Sequence, residues 1–391
     1  MSGRAIYLDY HATTPVDPRV LEAMLPYFTE AFGNPASSTH SFGWKAQQAV
    51  EKARRDVAAL IGAQAREVVF TSGATESNNF AIKGATDRAP EGRRRIVTSA
   101  IEHKSVLEAF ARLGGQGWDV VIVPVDRGGR VRLDAMAEAI TPATALVSVM
   151  AANNEIGVVQ PLAAIGALTS AAGAVFHVDA AQAIGKVPID VTAMHIDLLS
   201  LTGHKFYGPK GCGALFIRKR TALEPLICGG GQERGARAGT ENVAAIAGFG
   251  AAAEAVGKAS AVEAPGISAL RDQLEAGIMA IASDAVIFSK NAARLSNTTL
   301  FSVPGLKAET AVIAFDLEGV AVSSGSACSS GKVAPSHVLA AMGVDPELAK
   351  GAIRVSLGHS TGPEAVETFL KAWAKLAEGL YKARKNRDIA A

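Results

Sequence analysis

Cysteine is scarce in this chain, and its three cysteines are widely spaced. Cys212, Cys228 and Cys328 are the only ones among 391 residues, and no two of them have the CxxC spacing of a zinc or redox motif. Secreted domains that depend on disulfides carry an even number of cysteines at much higher density. The cysteine content therefore argues against a disulfide framework and a zinc site, and it indicates a reducing compartment.

The chain also lacks the hydrophobic segments that direct proteins to membranes. Its first ten residues, MSGRAIYLDY, do not contain the apolar core of a signal peptide. Residues 156–178 carry no acidic residue, Lys or Arg, but Gln160, Pro161 and Gly173 interrupt them. A spanning helix needs about 20 continuous apolar residues. We predict a soluble, cytoplasmic protein without membrane contact.

Charge of one sign is not in excess. The chain has 39 Lys and Arg residues against 37 Asp and Glu residues, for a formal net charge of +2. Proteins that bind nucleic acid concentrate Lys and Arg on one face, and no basic stripe stands out here, so we expect no nucleic-acid partner. With 49% hydrophobic residues, the chain can form one large domain and a smaller one.

Strand-like and helix-like segments alternate through the first two thirds of the chain. Helical patterns such as VLEAFARL (106–113) and LDAMAEAI (133–140) lie between short apolar runs. This alternation predicts an α/β fold with a mostly parallel central sheet. Between residues 174 and 218 the connections are too short for helices, so we expect an antiparallel or irregularly connected part there. The predicted strands are EVVF (67–70), RIVTS (95–99), DVVIVPV (119–125), ALVSVM (145–150), AVFHVDA (174–180), DLLSL (197–201) and GALFIR (213–218).

The pattern changes in the last third of the chain, where shorter strands are interspersed with helices. This order is typical of an α+β domain. We predict a large domain formed by residues 15–256 and a smaller one formed by residues 1–14 and 257–391. The elements predicted in the last third are helices at 242–259, 267–282 and 363–382 and strands near 285–289, 297–303, 320–323 and 352–357.

Two segments that follow predicted strands carry polar residues suited to a ligand crevice. TSGATESNN (71–79) precedes a helix, where free backbone N–H groups bind anions, and Thr75 adds a hydroxyl. In HVDAAQAIGK (177–186), Asp179 ends a strand at the sheet edge where α/β folds bind ligands, and it could hold a protonated ring nitrogen. Taken alone, the first segment is better explained as an ordinary helix start, and a helix cap explains Asp179 equally well.

Two further segments place reactive side chains just after strands. Lys205 lies in LTGHKFYGPKGCG (201–213), between a strand and a glycine-rich turn. Burial and cationic neighbours lower the pKa of an amine, which suits a lysine that forms a Schiff base. His103 in IEHKSV (101–106) could stack on a flat ring or shuttle protons. Taken alone, Lys205 could instead be an exposed lysine in a turn, and His103 could be an ordinary histidine at the start of a helix.

Two arginine-bearing segments follow. GGGQERGARAGTEN (229–242) could reach over an anion or across a subunit interface, and a solvated loop is the alternative. Arg354 lies inside AIRVSLG (352–358), a strand of otherwise apolar character. A guanidinium group there requires a carboxylate, supplied either by a ligand or by an acidic residue of the chain.

A single thiol, Cys328, lies among small residues in SSGSACSSGK (323–332). The segment is close to a nucleotide-binding P-loop, but five residues rather than four separate Gly325 from Gly331, and Val333 replaces the hydroxyl residue that binds Mg²⁺. A buried structural cysteine fits an apolar setting better than this one. The segment therefore favours a reactive thiol on a loop whose glycines allow movement.

Together these segments resemble the cysteine desulfurases of the NifS/IscS type, which belong to the class V aminotransferase branch of the fold type I pyridoxal-phosphate enzymes. Each motif alone is weak, but the ordered set is specific and covers nearly the whole chain. The resemblance implies a large domain with a mostly parallel sheet and a smaller α+β domain that carries Cys328. The matching segments are YLDYHATTPVDPRV (7–20), FGNPASSTH (32–40), GATESNN (73–79), EH (102–103), NNEIG (153–157), VDAAQ (178–182), GHK (203–205), GPKG (208–211), RAGTEN (237–242), SSGSAC (323–328) and IRVSLG (353–358).

The resemblance implies how pyridoxal phosphate is held. Lys205 would bind it as a Schiff base, Asp179 would pair with its ring nitrogen, and Gln182 would hydrogen-bond its phenolic oxygen. His103 would stack on the ring. Thr202 stands where serine is common in the family, and it keeps the hydroxyl. The phosphate would be bound by Ala74, Thr75, Thr202, His204 and, from the other subunit of a homodimer, Thr240.

For the reaction, the resemblance implies conversion of L-cysteine to L-alanine, with the sulfur transferred to Cys328 as a persulfide. Arg354 would bind the substrate carboxylate, and Asn154 would lie near the ring and the substrate. Lys205 would move the Cα proton, and a base such as His103 would help to ionise the Cys328 thiol. Cys328 would then deliver sulfur to an acceptor such as an iron–sulfur scaffold protein.

Other functions remain open from the sequence. A selenocysteine lyase or another class V lyase or aminotransferase is the alternative enzyme, although an aminotransferase needs no thiol at Cys328. A catalytically silent binding protein is the alternative of another class. We expect no resident metal, but Cys328 could act as a transient iron–sulfur ligand. Cys212 and Cys228 are expected to be structural or incidental.

Overall fold

The computed structural model describes residues 5–325 and 336–390, and the side chains of 259–265, 383 and 386–390 are not described. The strands are β1 (Ile6–Tyr7), β2 (Val68–Thr71), β3 (Arg95–Ser99), β4 (Asp119–Val123), β5 (Thr144–Met150), β6 (Val175–Asp179), β7 (Leu198–Thr202), β8 (Gly213–Ile217), β9 (Val286–Ile287), β10 (Thr298–Ser302), β11 (Val320–Ala321), β12 (Ser323–Ser324) and β13 (Ile353–Ser356). The helices are α1 (Pro18–Met24), α2 (Pro26–Thr29), α3 (Ser41–Leu60), α4 (Ala74–Asp87), α5 (Lys104–Gly114), α6 (Leu133–Ala139), α7 (Leu162–Ala171), α8 (Val243–Ile281), α9 (Ala308–Leu317), α10 (His337–Ala341), α11 (Pro346–Ala349) and α12 (Pro363–Ala390).

The central sheet has seven strands in the order β2-β8-β7-β6-β5-β3-β4. The strands from β4 to β7 pair in parallel, whereas β8 is antiparallel to both β7 and β2. The predicted α/β fold with a mostly parallel sheet is confirmed. The antiparallel part lies where the sequence predicted it, because the connection from β7 to β8 is too short for a crossover helix.

Both faces of the central sheet are covered, which explains why its strands are almost uniformly apolar. On one face α4 and α5 contribute Phe80 and Phe110 to a buried cluster. On the other face α3 and the first half of α8 contribute Val57 and Phe249. Because helices cover both faces, polar side chains can reach a ligand from the edge formed by the carboxyl ends of β6 and β7.

A second, smaller sheet has the antiparallel order β12-β13-β10-β9, and β1 pairs in parallel with β11. Aromatic side chains pack together in the core of this smaller unit. The rings of Phe315 and Phe369 stack with centroids 4.9 Å apart, and Trp373 meets Phe301 edge to face at 5.1 Å. Because β1 pairs with β11, and Leu8 joins the same buried cluster as Val320, the N-terminal segment packs against this smaller unit.

One prediction about helices is wrong. The sequence predicted separate helices at 242–259 and 267–282, but α8 runs unbroken from Val243 to Ile281. A proline inside a helix costs about 3 kcal/mol or more, and Pro265 lies between the two predicted helices. Packing of both halves offsets this cost, since Gly250 lies against Ala53 of α3 and Gly277 against Leu370 of α12. The predicted domain boundary at residue 256 falls inside this helix, and the domain division stays a prediction.

Among residues 5–325 and 336–390, we find no helix with the length and apolar character needed to cross a bilayer.

Candidate active site

A cavity of about 540 Å³ lies at the carboxyl ends of β6 and β7. It brings together side chains from both sheets, since Asp179 and Thr202 end strands of the central sheet and Arg354 comes from β13. Thr240 is exposed and does not line this cavity. Cys328 lies outside the described residues. The predicted site residues that line the cavity are Ala74, Thr75, His103, Asn154, Asp179, Gln182, Thr202, His204, Lys205 and Arg354.

Lys205 reaches the cavity from a short 3-10 turn directly after β7, Gly203–Lys205. Its Nζ donates hydrogen bonds to the carbonyl oxygens of His11, at 2.5 Å, and Ala12, at 2.8 Å. The N-terminal segment therefore holds the amine in the cavity. This arrangement excludes the exposed turn lysine that the sequence left open.

Asp179 is buried, and both of its carboxylate oxygens are hydrogen-bonded. Asn78 Nδ2 donates to Oδ2 at 2.8 Å, and the backbone N–H of Ala181 donates to Oδ1 at 3.0 Å. Asn78 also donates to Ser105 Oγ at 2.8 Å, and Ser105 Oγ lies 2.8 Å from His103 Nδ1. The carboxylate and the imidazole are thus fixed by one connected network. Carboxylate oxygens have further lone pairs, so Asp179 can still accept a proton donor from a ligand.

Two of the residues expected to bind the phosphate, Ala74 and Thr75, are the first two residues of α4. Gly73 begins this helix without a side-chain cap, which leaves backbone N–H groups available to an anion. His204 Nδ1 is 3.2 Å from Thr13 Oγ1. Burial, with the charges of Lys205 and Lys210, lowers the pKa of His204 to about 4. His204 is therefore a neutral partner at physiological pH.

Arg354 is almost completely buried. Its Nη2 donates to Asp9 Oδ1 at 2.6 Å and its Nη1 to the Asn154 carbonyl oxygen at 2.9 Å, while Nε has no hydrogen-bond partner. The acidic partner within the chain that the sequence left open is therefore present. Each Nη carries a second hydrogen, and Arg354 lines the cavity, so the guanidinium group retains donors to offer to a ligand.

Gln182 is hydrogen-bonded directly to Lys186 and is linked to Lys205 through a shared carbonyl oxygen. Its Nε2 donates to the carbonyl oxygen of His11 at 2.9 Å, the oxygen that also accepts from Lys205. Lys186 Nζ donates to Gln182 Oε1 and to the Gln182 backbone oxygen, each at 3.1 Å. Burial lowers the pKa of Lys186 to about 7, and the charges of Lys205 and Arg354 add to this shift.

Glu102 is a buried carboxyl group beside the cavity residues. Its Oε1 accepts from Ser99 Oγ at 2.5 Å and from the Met150 N–H at 3.0 Å, whereas Oε2 has no partner. Burial raises the pKa of Glu102 to about 8, and the charge of Asp179 contributes. The neutral acid therefore predominates at neutral pH.

This pKa predicts how stability depends on pH. The folded protein holds a proton on Glu102 that the unfolded chain releases near its ordinary pKa of 4.5, so the folding free energy becomes less favourable as pH rises from 4.5 to about 8. Glu102→Gln should remove this pH dependence. Its free energy of unfolding should exceed that of the wild type by an amount that grows as pH rises, up to about 5 kcal/mol. Thermal unfolding of both proteins from pH 5 to pH 8.5 measures it. A constant difference across this range would contradict the buried neutral acid.

Several residues of the site were not assigned roles from the sequence. Asp9, His11, Asn78, Ser105 and Lys186 hold the predicted residues in place. All five lie in segments quoted from the sequence, and Ser105 follows His103 by two residues. Their position within these segments was the available signal, but their contacts could not be derived from it.

Cys212 and Cys228 do not line the cavity. Cys212 is buried, and burial raises the pKa of its thiol, which disfavours the reactive thiolate. Cys228 is exposed. In the described residues we find no cluster of three His, Cys, Asp or Glu side chains that could hold a metal ion.

Comparison with known proteins agrees with this geometry. The aminotransferase class-V family model matches residues 6–369. A curated relative, cysteine desulfurase IscS of Anaeromyxobacter sp. (strain K), is 47% identical over 386 residues, which cover 98% of this chain and 94% of the relative. A solved NifS-like protein superposes with a TM-score of 0.90 at 39% identity, covering 96% of this chain and 100% of that chain. A structure described as SspA in complex with cysteine has a TM-score of 0.79 at 40% identity, with coverage of 90% and 98%. The chain therefore belongs to the class-V aminotransferase family.

Proposed function

We propose that this protein is a cysteine desulfurase that converts L-cysteine to L-alanine and transfers the sulfur to Cys328 as a persulfide. The observation that carries the proposal is the meeting of an amine, Lys205, a carboxylate, Asp179, and a guanidinium group, Arg354, in one cavity. Each has a distinct task in the chemistry of an amino acid. The names of the similar proteins, cysteine desulfurase IscS and SspA in complex with cysteine, support the same substrate.

The cofactor is pyridoxal phosphate, and the donor set of the cavity suits it. Lys205 offers an amine for covalent attachment, Asp179 an anion for the ring nitrogen, and Gln182 an amide for the phenolic oxygen. The uncapped N-terminus of α4, with Thr75 and Thr202, offers N–H and hydroxyl donors for the phosphate. When bound, pyridoxal phosphate supplies an electron sink that stabilises negative charge at the substrate Cα.

The residues of the chain divide the remaining work. Arg354 binds the substrate carboxylate, Lys205 Nζ carries the proton that leaves Cα, and His103 accepts a proton from the nucleophilic thiol. The Cys328 thiolate attacks the substrate sulfur. The C–S bond breaks as the S–S bond forms, and a proton reaches Cβ, so that L-cysteine and the Cys328 thiol give L-alanine and a persulfide without an external oxidant or reductant.

Arg354 offers a direct test of substrate binding. Arg354→Lys keeps the charge but loses the planar fork that matches a carboxylate. Loss of a hydrogen bond to a charged group should raise KM for L-cysteine roughly 10- to 100-fold with a smaller change in kcat. Steady-state alanine formation measures both constants. An unchanged KM would place the substrate carboxylate elsewhere in the cavity.

The activity itself is tested by supplying L-cysteine and L-selenocysteine separately to the purified protein. We expect alanine from L-cysteine, with an equal amount of sulfide when a reducing thiol is present. Alanine released only from L-selenocysteine would favour a selenocysteine lyase instead. A keto acid formed in place of alanine would favour an aminotransferase.

The active form is a homodimer in which Thr240 reaches the phosphate of the partner subunit's site. Thr240 is exposed and away from the cavity of its own subunit. Exposed apolar side chains near the N-terminus support an interface with a second copy, because patches of this kind mark interaction sites. They are Phe28, Phe32, Phe42 and Trp44. Light scattering should give twice the chain mass of 40.3 kDa, and a monomer would contradict the interface.

The acceptor of the persulfide sulfur is an iron–sulfur scaffold protein, and the location is cytoplasmic. The first proposal is supported by the IscS-named relatives, and the second by the scarcity of cysteine. Transfer of radiolabelled sulfur from the persulfidated protein to a purified scaffold tests the acceptor. Label that stays on Cys328 in the presence of the scaffold would contradict it.

A further inference from the structure

Lys186 lies behind the predicted cofactor-binding amide and has no assigned task. It is set on the turn that follows β6, four residues after Gln182, and its Nζ donates to Gln182 Oε1 and to the Gln182 backbone oxygen at 3.1 Å each. Lys186 itself does not line the main cavity, whereas Gln182 does. Lys186 can therefore act on a ligand in that cavity through Gln182.

The donors and acceptors around Gln182 allow only one orientation of its amide. An ammonium group has three donors and no acceptor, and a backbone carbonyl oxygen accepts only. With Oε1 facing Lys186 and Nε2 facing the His11 oxygen, both contacts are satisfied. In the flipped amide, Nε2 would face a donor and Oε1 would face an acceptor.

This orientation leaves one donor free for a ligand. Nε2 carries two hydrogens, and the His11 carbonyl oxygen takes one of them. The second hydrogen is available in the cavity that Gln182 lines. If Gln182 held the phenolic oxygen of pyridoxal phosphate, this hydrogen would be donated to it, whereas a flipped amide would present an acceptor to that anionic oxygen.

We propose that Lys186 is a positioning residue that fixes the Gln182 amide with its N–H donor toward the phenolic oxygen of the cofactor. The inference rests on the proposed function, since it requires pyridoxal phosphate in the cavity. Lys186 also places a positive charge near Lys205, which joins the same network through the His11 carbonyl oxygen. Its loss should therefore alter cofactor binding and the absorbance of the bound cofactor, in addition to turnover.

The alternative is a lysine that merely stabilises the turn by satisfying the Gln182 backbone oxygen. The two roles differ in their dependence on the Gln182 side chain. A positioning role disappears when that side chain is removed, whereas a stabilising role persists. A double-mutant cycle between Lys186 and Gln182 therefore separates them.

The test compares Lys186→Met, Gln182→Ala and the double variant, each as apoprotein titrated with pyridoxal phosphate below pH 7, where the Lys186 ammonium form predominates. Methionine fills the same space without a buried charge, so folding should be preserved. We expect Lys186→Met to raise the Kd of the cofactor about 10-fold, the effect of one hydrogen bond to a charged group, and to shift its visible band. The double variant should bind no more weakly than Gln182→Ala.

Two further variants complete the design. Lys186→Arg should restore binding, because the adjoining cavity of about 70 Å³, lined by Lys186 and Asn297, offers room for a guanidinium group. Lys307→Met removes an exposed lysine outside the cavity lining and controls for charge loss alone. Wild-type affinity and spectrum in Lys186→Met, or additive effects in the double variant, would overturn the positioning role. A wild-type protein that binds no cofactor would instead contradict the proposed function.

Discussion

Lys205→Ala is expected to yield a colourless protein that forms no measurable alanine from L-cysteine. The amine is held in the cavity by the carbonyl oxygens of His11 and Ala12. In the proposed function, this truncation removes the amine that attaches the cofactor and carries the Cα proton. Loss of a proton-transfer group alone costs 10²–10⁴-fold, so we expect turnover to fall by roughly 10³-fold or more. Absorbance of the purified protein and an alanine assay measure the two effects.

Lys210 provides the matched control for this variant. It lies in the same glycine-rich turn and lines the same cavity, but it is exposed. Lys210→Ala should keep the visible band of the bound cofactor after dialysis. If Lys205→Ala also kept its band after dialysis, the covalent attachment would lie elsewhere.

Cys328→Ala is expected to keep the bound cofactor and to lose sulfide release. The thiol supplies the only atom that accepts the substrate sulfur in the proposed reaction, and no residue of the cofactor pocket is changed. Removal of a covalent nucleophile typically costs several orders of magnitude, so we expect roughly a 10³-fold loss or more. Parallel measurement of the visible band and of sulfide release tests both halves of the prediction.

The other two cysteines serve as controls for Cys328. Cys212→Ala and Cys228→Ala should release sulfide at the wild-type rate, because neither residue lines the cavity. Sulfide release retained in Cys328→Ala would assign the nucleophile to another thiol. Cys228 would then be examined first, since it is exposed, whereas burial disfavours the thiolate of Cys212.

The strands of the central sheet could be predicted because their burial is visible in short stretches of sequence. Strands that are buried on both faces read as short apolar runs, and each predicted strand of this sheet is present to within two residues at either end. The continuous α8 was not predictable, because the cost of Pro265 is local whereas the packing that offsets it, against α3 and α12, is set by the tertiary fold.

The residues of the cavity likewise include some that a local sequence pattern indicates and others that only the tertiary fold brings together. Asp179 could be placed at the ligand crevice from the rule that ligands of α/β folds bind at the carboxyl ends of strands, whereas Thr202 was assigned only through the family resemblance. The pairing of Arg354 with Asp9 joins residues 345 positions apart, and no local pattern reports a contact of that range. The role of Cys328, which lies outside the described residues, stays a prediction that depends on the resemblance and on the small residues around it.

The most direct test of the proposed function is the intact mass of the protein after one exposure to L-cysteine without a reducing thiol or an acceptor. We predict that each subunit gains the mass of one sulfur atom, that peptide mapping assigns it to Cys328, and that one L-alanine forms per sulfur bound. Alanine formed by the wild-type protein without added sulfur on Cys328, or sulfur found on another residue, would contradict the account.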